Sequence, residues 1–90
     1  YRLLLNYPNP FNPSTTTGFE LPAASEVTLI VYDLTGREVT RLADGGYLAG
    51  YHQVAWDGRN ASGRLLPSGI YIARLTTPGY SNSIKMLLLK

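Results

Sequence analysis

The stretch VTLIVYDLTGREV, residues 27–39, decides the fold. Val27, Leu29 and Val31 alternate with Thr28, Ile30 and Tyr32. A period of two puts the first set on one face of a strand and the second on the other. The β-branched and aromatic residues suit that pleated, half-buried surface. The strand is expected over Val27–Leu34, and Asp33-Leu-Thr-Gly36 reads as a turn in which Gly36 can supply a positive φ. Arg37–Leu42 follows as the hairpin partner, with Val39 inward. Strict alternation would put Arg37 and Arg41 on the same inward face, so a bulge near Thr40 is expected.

Outward from this hairpin the same signals recur about every ten residues. Strands are expected at Thr15–Leu21, Tyr51–Trp56, Ile70–Thr76 and Ser83–Lys90. Pro22-Ala-Ala-Ser25 ends the first of these, Gly45-Gly46 opens a loop, Asp57–Gly69 forms a long one, and Pro78-Gly79 is a turn. No segment keeps a helical period. The chain therefore reads as all-β: an Ig-like antiparallel β-sandwich of about seven strands, with residues 1–90 as a single domain. There is no cysteine, so the Cys-Trp-Cys hallmark of antibody domains is absent, and Trp56 is expected to act as the core aromatic.

A 44% hydrophobic, 16% charged composition fits a globular domain. The net charge of +2 comes from scattered Lys and Arg and does not indicate a nucleic-acid partner. The longest apolar runs, Leu3–Leu5 and Met86–Leu89, are too short to span a bilayer. No signal peptide is visible, and the chain is expected to be a piece of a longer protein with any export signal upstream.

Near the start, Pro8, Pro10 and Pro13 fall within six residues. Each proline lacks a ladder donor and pushes the preceding residue toward extended backbone. Residues 1–13 are expected to form a stiff, kinked strap that leads into the first confident strand and blocks pairing at that edge.

Catalysis finds little support. His52, the one histidine, shares a predicted face with Val54 and Trp56; Asp33, Asp44 or Asp57 can be imagined as its orienting partner. No G-x-S-x-G elbow accompanies it. The six carboxylates are isolated along the chain, so the protein is expected not to be an enzyme, and no cofactor is expected. In the loop DGRNASG, Asp57 and Asn60 are candidate metal ligands. However, Arg59 stands where a third oxygen is wanted and no glutamate closes the loop. The competing reading is a polar turn in which both side chains bond to local backbone. Asn60-Ala61-Ser62 also matches a glycosylation sequon. Sugar binding is the main non-catalytic alternative. Tyr47, Tyr51 and Tyr80 are the better exposed stacking candidates, while Tyr32, Tyr71 and Trp56 are expected in the core.

The last strand is apolar on both faces, Met86 and Leu88 on one and Leu87 and Leu89 on the other. One face meets the core, and the other is covered by Leu3–Leu5 or by a partner. Lys85 and Lys90 bracket the strip as gatekeepers.

Five motifs in fixed order now stand together: Tyr7–Pro13 (YPNPFNP), Val31–Arg37 (VYDLTGR), Gly50–Gly58 (GYHQVAWDG), Ser68–Tyr71 (SGIY) and Lys85–Lys90 (KMLLLK). Together they resemble the C-terminal sorting domain, type A, of type IX secretion system cargo proteins, and the related Ig-like domain of flagellar hook-capping proteins. The resemblance covers nearly the whole chain. It implies a non-catalytic module that directs an upstream cargo domain from the periplasm through an outer-membrane translocon. A sortase-type machinery then attaches the cargo to the cell surface or releases it. The motif positions carried over are Pro8, Asn9 and Pro10, then Gly69 and Tyr71, then Lys85 and Lys90, the last closing the sequence as a terminal signal does. Gly69 is expected to serve backbone geometry and Tyr71 to anchor the core. The competing role is an accessory carbohydrate-binding or spacer sandwich on an extracellular polysaccharide-degrading enzyme.

Overall fold

The alternation of Val27, Leu29 and Val31 becomes the central strand of a two-layer sandwich in the computed structural model, which describes residues 1–90. The strands are β1 (Arg2–Leu3), β2 (Thr15–Leu21), β3 (Ser25–Tyr32), β4 (Glu38–Tyr47), β5 (Gly50–Trp56), β6 (Gly69–Thr77) and β7 (Tyr80–Leu88). They form a three-stranded sheet, β1-β2-β5, and a four-stranded sheet, β4-β3-β6-β7, antiparallel throughout. The fold is the expected all-β, Ig-like β-sandwich.

The inward residues of the two sheets interleave. Phe19, Leu29, Val31, Ala73, Leu75 and Leu88 have no exposed surface, and Val27 and Met86 are nearly as buried. Each large apolar side chain removed from water in this way contributes roughly 1.5–3 kcal/mol. Val39 and Leu42 are both skipped in the β3–β4 register, giving two bulges that flank Thr40. They turn Arg41 outward to Glu38 and Asp44, 3.0 Å from each, so the guanidinium is held above its ordinary pKa, first by its bond to Glu38.

Four expectations need correction. Gly45 and Gly46 do not open a loop; they pair with Val27 and Glu26 inside β4, and the chain turns at Leu48-Ala49 instead. The last strand begins at Tyr80, because the polar residues before Ser83 find ladder partners on β6. Tyr32 is half-buried on the outer face of the four-stranded sheet rather than in the core. Leu3–Leu5 do not cover the outer face of the last strand: Leu3 enters the core opposite Phe19, in one cluster with Met86 and Leu88, and Leu5 is 78% exposed.

Candidate functional site

The strap leads into β2, which starts at Thr15, but it pairs with both sheets rather than only blocking an edge. Its first part does pair with that strand, through reciprocal backbone bonds between Tyr7 and Thr16 of 2.8 and 3.0 Å. Proline has no N–H to continue a ladder, and beyond Tyr7 the chain crosses from the small sheet to the outer edge of β7. The bonds Tyr7–Pro8, Asn9–Pro10 and Asn12–Pro13 are all cis. Thr15 ties the crossing down by donating its hydroxyl to the Pro8 carbonyl, 2.8 Å away.

At the β7 edge Asn9 replaces a strand backbone with its side chain. Its Oδ1 accepts from the Leu87 N–H at 2.9 Å, and its Nδ2 donates to the Lys85 carbonyl at 3.4 Å. Two residues later the backbone takes over, parallel to β7. The Phe11 N–H donates to Leu87 O and the Leu89 N–H donates to Phe11 O, both at 2.9 Å. The strap therefore pairs an edge that otherwise stands open.

Phe11 is the apolar anchor of this clasp, 2% exposed and 5.5 Å from the Trp56 ring centroid. Trp56 packs edge-on against Tyr71 at 5.4 Å and donates its indole N–H to Arg59 O. Gly58 completes the corner. A Cβ built there would lie 3.1 Å from Pro13 O and 3.4 Å from Leu88, on a backbone with φ of +75°. Four of the five sequence motifs thus meet at one pole of the sandwich: strap, WDG loop, SGIY and last strand. The fifth is within electrostatic reach, since burial pushes the Tyr71 hydroxyl above its ordinary pKa and the charge of Asp33 adds to the effect.

Asn9 and the Lys85–Lys90 segment are in direct contact, whereas Pro8 and Pro10 set the strap's course without touching β7 through polar atoms. Tyr71 is a core anchor whose hydroxyl donates to Pro67 O at 2.7 Å. Gly69 has open space around its Cβ position but a φ of 155°, so the backbone and not crowding selects glycine there. The side chains of Lys85 and Lys90 are exposed and form no ion pair; the Lys90 N–H donates to Ser68 Oγ.

The other candidates separate by what they touch. Asp57 Oδ1 accepts from the Arg59 N–H, and Asn60 Oδ1 accepts from the N–H groups of Ser62 and Arg64, the local bonding of polar turns. His52 lies between Phe19 and Tyr47, its Nε2 2.7 Å from Leu48 O, and contacts none of Asp33, Asp44 or Asp57. Tyr47 is half-buried against Phe19, and Tyr80 is half-buried in a stack on Tyr1. Of the three tyrosines only Tyr51 stays open, 54% exposed, with its ring over Gly18. The sequence reading passed over Phe11, Gly58 and Ser68 as site residues. For Phe11 a signal existed: it is the one large side chain without a polar group inside a Pro- and Asn-rich run.

The two antiparallel sheets packed face to face define an Ig-like β-sandwich module. The FlgD Ig-like domain family matches residues 8–79, and the chain belongs to that family. It is 38% identical over 64 residues to the basal-body rod modification protein FlgD of Salmonella typhimurium, and equally to that of Salmonella typhi. The chain spans 28% of the length of these curated relatives, and the match covers 70% of the chain. Among solved structures, FlgD from P. aeruginosa superposes with a TM-score of 0.64 at 26% identity, covering 97% of this chain and 73% of that one. Two Porphyromonas gingivalis proteins share the fold. They are dimeric latent PorU (TM-score 0.77, 22% identity, 97% and 9% coverage) and PorZ, an essential surface component of the type-IX secretion system (0.70, 22%, 97% and 11%).

Proposed function

We propose that this chain is a non-catalytic sorting module of the type IX secretion route. It carries an attached cargo domain from the periplasm through the outer-membrane translocon, to surface attachment or release by sortase-type machinery. The observation that carries the reading is the Asn9 clasp. It joins the Pro8-Asn9-Pro10 strap to the Lys85–Lys90 segment in one corner, two of the three segments that the sorting-domain resemblance singles out. A surface ordered before binding loses less entropy when a receptor takes it. The fold shared with PorU and PorZ supports the reading.

The test is a fusion of residues 1–90 to the C-terminus of a signal-peptide-bearing fluorescent protein, expressed in a bacterium with a type IX system. Surface or medium fluorescence is expected. Lys85→Ala with Lys90→Ala abolishes it while leaving the melting temperature unchanged, because exposed charges contribute little to stability. A folded fusion held in the periplasm overturns the sorting reading. Export of the double variant overturns the role of the two lysines alone.

One observation favours a second reading, an accessory carbohydrate-binding sandwich. The exposed Tyr51 ring lies over Gly18 on the outer face of the small sheet, a platform on which a pyranose can stack. Retention on insoluble polysaccharide that is lost in Tyr51→Ala would establish it.

A further inference from the structure

Charge is divided unevenly along the chain. From Gly58 onward there are five cations (Arg59, Arg64, Arg74, Lys85 and Lys90) and no carboxylate, while the preceding residues hold three cations and all six carboxylates. Four arginines find acidic partners: Arg2 with Glu20, Arg37 with Asp33, Arg41 with Glu38 and Asp44, and Arg59 with Asp57. Arg74 and Lys85 find none. Both point outward from the four-stranded sheet, in neighbouring rows of the β6–β7 ladder.

The surface they border is apolar. Ile72 is the ladder partner of Lys85, and Ile70 is the partner of Leu87. Ile70 is 40% exposed, and Ile72, Leu87 and Tyr32 are half-buried. A cleft of about 490 Å³ opens between Tyr32, Leu34, Ile72 and Arg74. Asp33 reaches this cleft too, but its carboxylate is engaged by Thr35 and Arg37. Glu38, the ladder partner of Tyr32, is likewise engaged by Arg41. An apolar centre with a polar rim is the anatomy of a protein interface, and a rim whose unpaired charges, Arg74 and Lys85, are both positive selects an acidic partner and speeds its encounter.

We propose that the outer face of β6 and β7, centred on Arg74 and Ile72, docks an acidic protein segment that presents carboxylates beside apolar side chains. A protein is favoured over an anionic bilayer because Ile72, Leu87 and Tyr32 lie half-buried in the sheet surface. Only Ile70 and Leu34, 40% and 67% exposed, stand out from it, far short of the broad apolar face that membrane anchoring takes. The assignment shares Lys85 with the sorting reading but does not rest on it, since Arg74 and Ile72 lie outside the strap and its partner segment.

The test is an amide NMR titration of ¹⁵N-labelled residues 1–90 with a peptide alternating Glu and Val. Matched peptides carrying Lys or Ser in place of Glu, and phosphatidylglycerol vesicles, serve as comparisons. Expected are shifts confined to Tyr32, Ile70–Arg74 and Lys85–Leu87 with the Glu peptide, weakened by salt. Arg74→Gln with Lys85→Gln should weaken the apparent affinity about tenfold with no change in melting temperature, and Arg64→Gln should leave it intact. Absent shifts, shifts elsewhere, or equal response to the Lys peptide overturn the proposal. Response to vesicles but not to the Glu peptide also overturns it, in favour of a lipid surface. No secretion step is involved, so failure here and failure of the export assay are separate results.

Discussion

Asn9 pairs with β7 through its side chain, where a strand residue would use its backbone. An alanine there leaves the Leu87 N–H without its partner and is expected to cost about 1 kcal/mol in urea unfolding. Asn9→Asp keeps an acceptor for that N–H and is expected to lose less. Gly58 and Gly63 form a natural comparison. Both have positive φ, +75° and +83°, but only Gly58 faces crowded atoms at its Cβ position. The backbone term alone is roughly 1–2 kcal/mol for an L-residue. Gly58→Ala is therefore expected to destabilise clearly more than Gly63→Ala by the same denaturation measurement. Asp33 titrates below its ordinary value, first because the Thr35 hydroxyl bonds to it and then because the Arg37 N–H does. A lowered folded-state pKa means the ionised form stabilises the fold at neutral pH. That contribution is lost as pH falls below about 3.9 and through the lower folded value. Asp33→Asn is expected to flatten this acid limb of the melting temperature against pH.

At the scale of elements, the strap and β7 act as a pair. Phe11→Ala removes the anchor that holds the strap between Trp56 and the last strand. A loss of roughly 3–5 kcal/mol is expected. Hydrogen exchange should then accelerate at Leu87 and Leu89, whose N–H groups bond to the strap, more than at Val31 in the centre of the sheet. The strands themselves were legible in the sequence, because Val27/Leu29/Val31 and Tyr71/Ala73/Leu75 carry the period of a half-buried sheet. The bulge near Thr40 was legible too, since simple alternation would have turned Arg41 inward. Gly45-Gly46 was misleading because glycine marks turns locally, whereas here pairing with Val27 and Glu26 overrides that preference. The clasp itself could not be read. Asn9 and Leu87 stand 78 positions apart, and no local pattern says that a side-chain amide will stand in for a strand.

For the whole molecule, the corner and the core are one packing unit. Phe11, Trp56, Tyr71 and Leu88 belong to the same buried cluster as Leu29 and Leu75. Trp56, the single tryptophan, sits at the corner. Its fluorescence transition on unfolding and the far-ultraviolet circular dichroism transition of the sheets are therefore expected to coincide. Two separate midpoints would mean that the corner melts on its own.

The clasp also bears on timing. During synthesis Asn9 and Phe11 emerge long before Leu87 and Leu89. Until the late residues arrive, the early ones have nothing to close on. A chain stalled or clipped anywhere between them leaves Phe11 uncovered and the corner unmade. Whatever recognises this corner consequently receives a certificate of assembly: only a chain that has been made and folded through β7 can show it.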